Sequence, residues 1–155
     1  MAEIIHVGAL ELRFLHSKDD TDGSLDMFEM ACPPDSRMPV AHYHRDWDET
    51  VLGISGVVTF TVAGDAIDIS PGDTLFIKRG TIHGFDNRSK DVARCLCVLT
   101  PGVLGPAYFR ETGAALTEQP PDPAKLRAIM ERHGLIPAPP APEPEAQPGR
   151  VLVSR

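Results

Sequence analysis

The chain has 155 residues, with 15 Lys+Arg against 22 Asp+Glu and a formal net charge of −7. That length suits one domain with a buried core, and a hydrophobic share of 42% excludes global disorder. The acid excess argues against nucleic acid and anionic membrane as main partners, since both need basic surface.

Met1 to Leu10 carries Glu3 and no basic stretch, so it does not read as a secretion signal. No apolar run approaches the ~20 residues that span a bilayer, and the expected location is cytoplasmic. From Ile4 to Thr100, short runs of β-branched and aromatic residues alternate with turn signals, the pattern of a β-sandwich or barrel. Leu25 to Met30 reads as one strand, with Leu25 and Met27 set against Asp26 and with Phe28 and Met30 following at spacing two. Val57 to Val62 is another, with Val58, Phe60 and Val62 on one face. Ala63-Gly64-Asp65 is a tight hairpin turn, and Ile67 and Ile69 alternate with polar neighbours after it. Ser70-Pro71-Gly72-Asp73 is a strong turn signal, followed by strands at Leu75–Ile77 and Val92–Leu99. Cys32, Cys95 and Cys97 are too few for a disulfide framework and read as reduced, buried hydrophobes.

After Thr100 the period changes. A short helical turn is expected near Tyr108 to Thr112. Asp122-Pro123 marks a helix start, and Leu126, Ile129, Met130 and His133 fall at helical spacing before Gly134 ends it. This stripe reads as scaffold. Six of the thirteen residues from Pro137 to Gly149 are Pro, which makes an extended arm. The Val151-Leu152-Val153 triplet beyond it is either a frayed end or a strand that pairs with a sheet edge.

The chemistry concentrates in Ala41-His42-Tyr43-His44-Arg45-Asp46-Trp47-Asp48-Glu49. On a strand His42 and His44 share a face. A turn through Arg45 to Asp48 can bring Glu49 back onto that face, and His83 follows in Gly80-Thr81-Ile82-His83. Three imidazoles and a carboxylate suit one divalent first-row metal, Fe, Mn, Ni, Co, Cu or Zn, with two octahedral positions left open. A rival set, His44, Asp46 and His83, spells a two-histidine, one-carboxylate triad. Glu49 is preferred, because the rival leaves His42 unexplained. His6, His16 and His133 read as structural.

Residues 36 to 87 resemble the two motifs of the cupin superfamily. The first stands as His42-x-His44-x4-Glu49-x6-Gly56, the second as Gly72-x5-Lys78-x-Gly80-x2-His83-x3-Asn87. Ser36 and Lys78 depart from the pattern, standing where the family has Gly and Pro. The resemblance implies an all-β jelly-roll barrel with the metal inside it, held by His42, His44, Glu49 and His83. It implies turn roles for Gly56, Gly72 and Gly80, and hydrogen bonds from Asn87 to nearby backbone. The expected organisation is a barrel over 1–112, a helical segment packed on it over 113–136 and a Pro-rich tail over 137–155. The helical segment is also similar to the tail of bacterial quercetin-dioxygenase-like cupins. A homodimer follows from the same resemblance.

Cupin sites support several reactions, so fold does not give function. The first expectation is a dioxygenase-type oxidoreductase on a small organic substrate, with Glu49 as ligand and as proton acceptor if it shifts off the metal. Its pocket would be walled by Phe28, Met30, Met38, Phe60, Phe85 and Cys97, with Cys95 on the same face as Cys97. The alternatives are a non-catalytic module binding a sugar or organic acid, and a metal-dependent isomerase or lyase.

Overall fold

A computed structural model describes residues 2–38 and 40–139. Ten strands come first: β1 (Glu3–Val7), β2 (Leu10–His16), β3 (Asp26–Cys32), β4 (His42–His44), β5 (Asp48–Ser55), β6 (Val58–Val62), β7 (Asp65–Ile69), β8 (Thr74–Ile77), β9 (His83–Asp86) and β10 (Ala93–Thr100). Two helices follow, α1 (Pro106–Leu116) and α2 (Pro123–Arg132), and then a last strand, β11 (Leu135–Pro137). One antiparallel sheet has the order β1-β2-β3-β10-β5-β8, the other β11-β4-β9-β6-β7. They form a jelly-roll whose sheets do not close into a ring. Their inward residues share one core, with Leu12, Phe28 and Val51 from the first sheet and Val58 and Phe60 from the second.

The strand pattern produces these sheets by alternation. Cys95, Cys97 and Leu99 point inward from β10, while Arg94 and Thr100 are exposed. The β6–β7 hairpin turns on Ala63 (φ 50°) and Gly64 (φ 92°), both left-handed as a type I′ turn requires. All three cysteines are free and buried. β3 departs from the expected pattern, because Asp26 faces inward and is fully buried. Its carboxylate accepts hydrogen bonds from the backbone N–H of Lys18 (2.7 Å) and Gly105 (3.0 Å), tying two loops to the sheet.

The first helix is longer than the short turn expected near Tyr108 to Thr112. α1 runs 11 residues, so position 112 falls inside it. α2 begins as its sequence predicts, with the Asp122 carboxylate accepting from Ala124 N–H (2.9 Å) and Pro123 in the first turn. α1 packs on β1, α2 packs on α1 and on β11, and β11 pairs with β4. The two helices therefore bridge the β1 edge of one sheet to the β11 edge of the other. Pro137, expected to open the tail, is the last residue of β11. The tail beyond residue 139, including Val151-Leu152-Val153, lies outside the described residues. Among the described residues no helix is long and apolar enough to cross a membrane.

Candidate metal centre

β4 is three residues long and buries His42 and His44 on one face, with Tyr43 turned away. Its register is held from both sides. His42 pairs with His83 of β9, and Leu135, Ile136 and Pro137 of β11 pair with His44, Tyr43 and His42. Arg45 N–H donates to Gly134 O (3.0 Å) and Gly80 N–H to His44 O (2.9 Å), pinning the strand end. The turn that follows buries Trp47, whose ring stacks on His44 with centroids 4.7 Å apart. That turn resets the strand parity, so Glu49 enters β5 facing inward with Val51.

One nitrogen from each of His42, His44 and His83 lies within 4.8 Å of the other two. His42 Nε2 and His44 Nε2 are 3.1 Å apart. Glu49 Oε2 lies 3.5 Å from His83 Nε2 and 3.9 Å from His44 Nε2. Neighbouring ligands on an octahedral ion with bonds of about 2.1 Å sit about 3.0 Å apart, and a tetrahedral ion spreads them further, so the three imidazoles could hold one cation, with the Glu49 carboxylate beside two of them. The tautomers agree. His42 Nδ1–H donates to Val40 O (3.1 Å) and His83 Nδ1–H to Thr81 O (2.9 Å), leaving each Nε2 lone pair turned inward. His44 Nδ1 is buried without a partner. Two imidazole nitrogens 3.1 Å apart repel unless a proton or a cation lies between them, and a donor set of nitrogen and oxygen suits a first-row metal.

The electrostatics follow from burial and proximity. Desolvation, reinforced by the neighbouring imidazoles, pushes His42 down to about 4 and His44 to about 3, so both are neutral at pH 7. Burial works against ionisation of Glu49. The closeness of His83 Nε2 (3.5 Å) and the positive charge the three imidazoles carry once protonated outweigh it and hold the carboxyl at about 2. Burial also works against a charged His83, but the Glu49 carboxylate raises it above its ordinary value. Asp46, the rival carboxylate, pairs instead with Arg45 on the surface (2.9 Å).

The centre opens on a cavity of about 360 Å³. Phe28, Met30, Met38, Phe60, Phe85 and Cys97 all line it, as do His42, His44, Glu49 and His83. Cys95 lies behind Cys97, with the sulfurs 4.0 Å apart. Tyr108, Thr112, Leu126 and Met130 complete the cavity from the helices. The helical stripe, read as scaffold, is thus also a cavity wall, and its sequence signal was the spacing of Leu126 and Met130. Of the motif's other positions, Asn87 Nδ2 donates to Cys32 O and Asp91 O (2.8 Å each). Ser36 closes its own turn through its hydroxyl, which donates to Pro33 O (2.6 Å), and the left-handed residue is the neighbouring Asp35 (φ 63°). Lys78 is exposed, and its carbonyl accepts from Thr81 N–H (3.1 Å).

Residues 28–99 match the family described as Cupin domain. That stretch is a cupin domain. It is 30% identical over 101 residues to quercetin 2,3-dioxygenase of Bacillus subtilis, covering 65% of this chain but 29% of that protein. It is 32% identical over 104 residues to the tetracenomycin polyketide synthase protein TcmJ of Streptomyces glaucescens, covering 67% of this chain and 65% of that one. The cupin thus spans less than two thirds of either relative. Among solved structures, the polyketide cyclase RemF of Streptomyces resistomycificus superposes with a TM-score of 0.56 at 24% identity, over 64% of this chain and 72% of that one. At that identity the likeness is one of fold.

Proposed function

We propose that this cupin is a mononuclear metal oxidoreductase of dioxygenase type, acting on a small, apolar substrate that carries an enol or phenol oxygen. The observation that supports the reading is the convergence of three imidazoles and one carboxylate on the wall of an apolar cavity. His42, His44, His83 and Glu49 would hold the metal. When bound, such a metal supplies Lewis-acid polarisation of a substrate oxygen and one-electron chemistry toward O₂. Glu49 is ionised at neutral pH and, on shifting off the metal, would accept the proton of a substrate hydroxyl docked at the centre. Phe28, Met30, Phe60 and Phe85 exclude water and seat an apolar ring system. A sugar ligand fits poorly, because this lining offers few partners for its hydroxyls.

The test is oxygen uptake by metal-loaded protein with flavonols, enols and 1,3-diketones, with product masses measured alongside. Uptake of one O₂ per substrate, with both oxygen atoms in the product, is the expected result. Turnover without oxygen uptake supports instead a metal-assisted isomerisation or cyclisation. That second reading draws on the 32% identity to a polyketide synthase protein. Absence of turnover with every substrate contradicts both and leaves ligand binding.

A further inference from the structure

The three imidazoles of the candidate centre are not held alike. His42 Nδ1–H donates to Val40 O (3.1 Å) and His83 Nδ1–H to Thr81 O (2.9 Å), so a backbone carbonyl fixes the plane of each ring. His44 Nδ1 is buried and has no partner among the described residues. An imidazole that binds a metal ordinarily gives its other N–H to an acceptor, which sets both the tautomer and the orientation of the ring. His44 lacks that device, so something else sets its plane.

The neighbour that can do this is Trp47. Its indole stacks on the His44 ring, with centroids 4.7 Å apart and planes 21° from parallel. Trp47 is 1% exposed, and its own Nε1 has no partner among the described residues. A buried indole ordinarily finds an acceptor for its N–H, so this one is placed by packing and not by a hydrogen bond. The packing is close. A Cβ on Gly134 would lie 3.1 Å from Trp47 Cζ3, so the glycine lets the entry to β11 sit against the indole edge. Arg45 N–H donates to Gly134 O (3.0 Å), which ties the turn that carries Trp47 to the same point. The indole thus meets the β11 entry at one edge and His44 across its face.

We infer that Trp47 is a positioning residue for His44, with ring stacking in place of the hydrogen bond that orients His42 and His83. The inference rests on the reading that these imidazoles hold a metal. Without the indole, the His44 ring is free to turn about its Cβ–Cγ bond, and its Nε2 leaves the place it holds 3.1 Å from His42 Nε2. A metal would then have to order the ring as it bound, at a loss of affinity. Trp47 touches no metal in this account and acts only through the ring it stacks on.

The test titrates the full-length protein with Co(II), reading affinity by competition with a chelator and ligand geometry by the visible d–d spectrum. Trp47→Met and Trp47→Phe both shorten the side chain and keep it apolar, but only Phe offers the imidazole a ring face. Trp47→Met should lose Co(II) affinity about tenfold and alter the spectrum, and Trp47→Phe should recover most of both. A double-mutant cycle separates this role from a general one in the fold. In a His44→Ala background Trp47→Met should cost less than about twofold, because the ring it orients is gone, whereas in a His83→Ala background the loss of about tenfold should persist. Should Trp47→Met not fold, Trp47→Phe carries the same cycle with a smaller loss, confined to proteins that keep His44. Parent-like affinity and spectrum in Trp47→Met, equal losses in Trp47→Met and Trp47→Phe, or a full loss in the His44→Ala background overturns this inference and leaves the metal centre intact. A parent protein that binds no Co(II) overturns the metal-centre reading and this inference with it.

Discussion

The strand wall of the cavity and its helical wall are held in different ways. On the strand wall, His42, His44 and His83 sit within 4.8 Å of one another, on strands whose register is pinned by backbone hydrogen bonds on both sides. On the helical wall, Leu126 and Met130 are carried by α2, which reaches the sheets through α1 and β11. A one-residue slip in β4 would turn both histidines out of the site, so the strand wall tolerates little change. The helical wall rests on side-chain packing against β1 and β11. The lesson is a separation of place, with the candidate metal ligands on the sheets and part of the cavity lining on the segment that covers them.

The sharpest way to break this comparison is to attack the strand wall. His83→Ala should lower metal affinity by a factor of at least about 100 while the far-ultraviolet dichroism stays that of the parent. Loss of the fold would mean that His83 is chiefly structural and that the two walls are not separable. Attacking the helical wall comes next. Gly113→Ala drives a methyl into the His6 carbonyl, and should destabilise the protein by about 1–3 kcal/mol in urea denaturation while sparing metal content. Metal loss in that variant would show the walls to be coupled, through β11 and β4.

The smallest effect is one of pH on the metal-free protein. His42 and His44 are held at about 4 and 3, below their ordinary value of 6.5. The unfolded chain therefore takes up protons through pH 6.5 that the folded chain refuses, and stability falls as pH drops from 6.5 toward 4. His83 is shifted upward, so its contribution is full below 6.5 and is lost as pH rises through its folded value, a single group against two. The melting temperature should fall by several degrees between pH 6.5 and 4.5, and by less in His44→Asn. Equal slopes for parent and variant would contradict the burial of these imidazoles. Burial puts protonation of His42 and His44 below the ordinary histidine range, whereas the Glu49 carboxylate puts that of His83 above it.

Legibility in the sequence divides along the same line. His42 and His44 were readable because a strand has period two, and Glu49 because the intervening residues can form a turn. That Trp47 stacks on His44 was not readable, since the turn's conformation decides it. Phe28, Met30, Phe60 and Cys97 followed from strand alternation. Asp26 defied alternation, because its partners are backbone groups of two distant loops. Tyr108 and Thr112 were placed on a helical turn, but nothing local says that the turn covers a cavity. Gly113 carries that information only once β1 is beside it.

The most direct measurement is the metal content of tag-free protein purified without added metal, by mass spectrometry, with His83→Ala alongside. The account predicts close to one equivalent of a first-row transition metal per chain in the parent and almost none in the variant. A parent protein without metal that takes up none on reconstitution would contradict it.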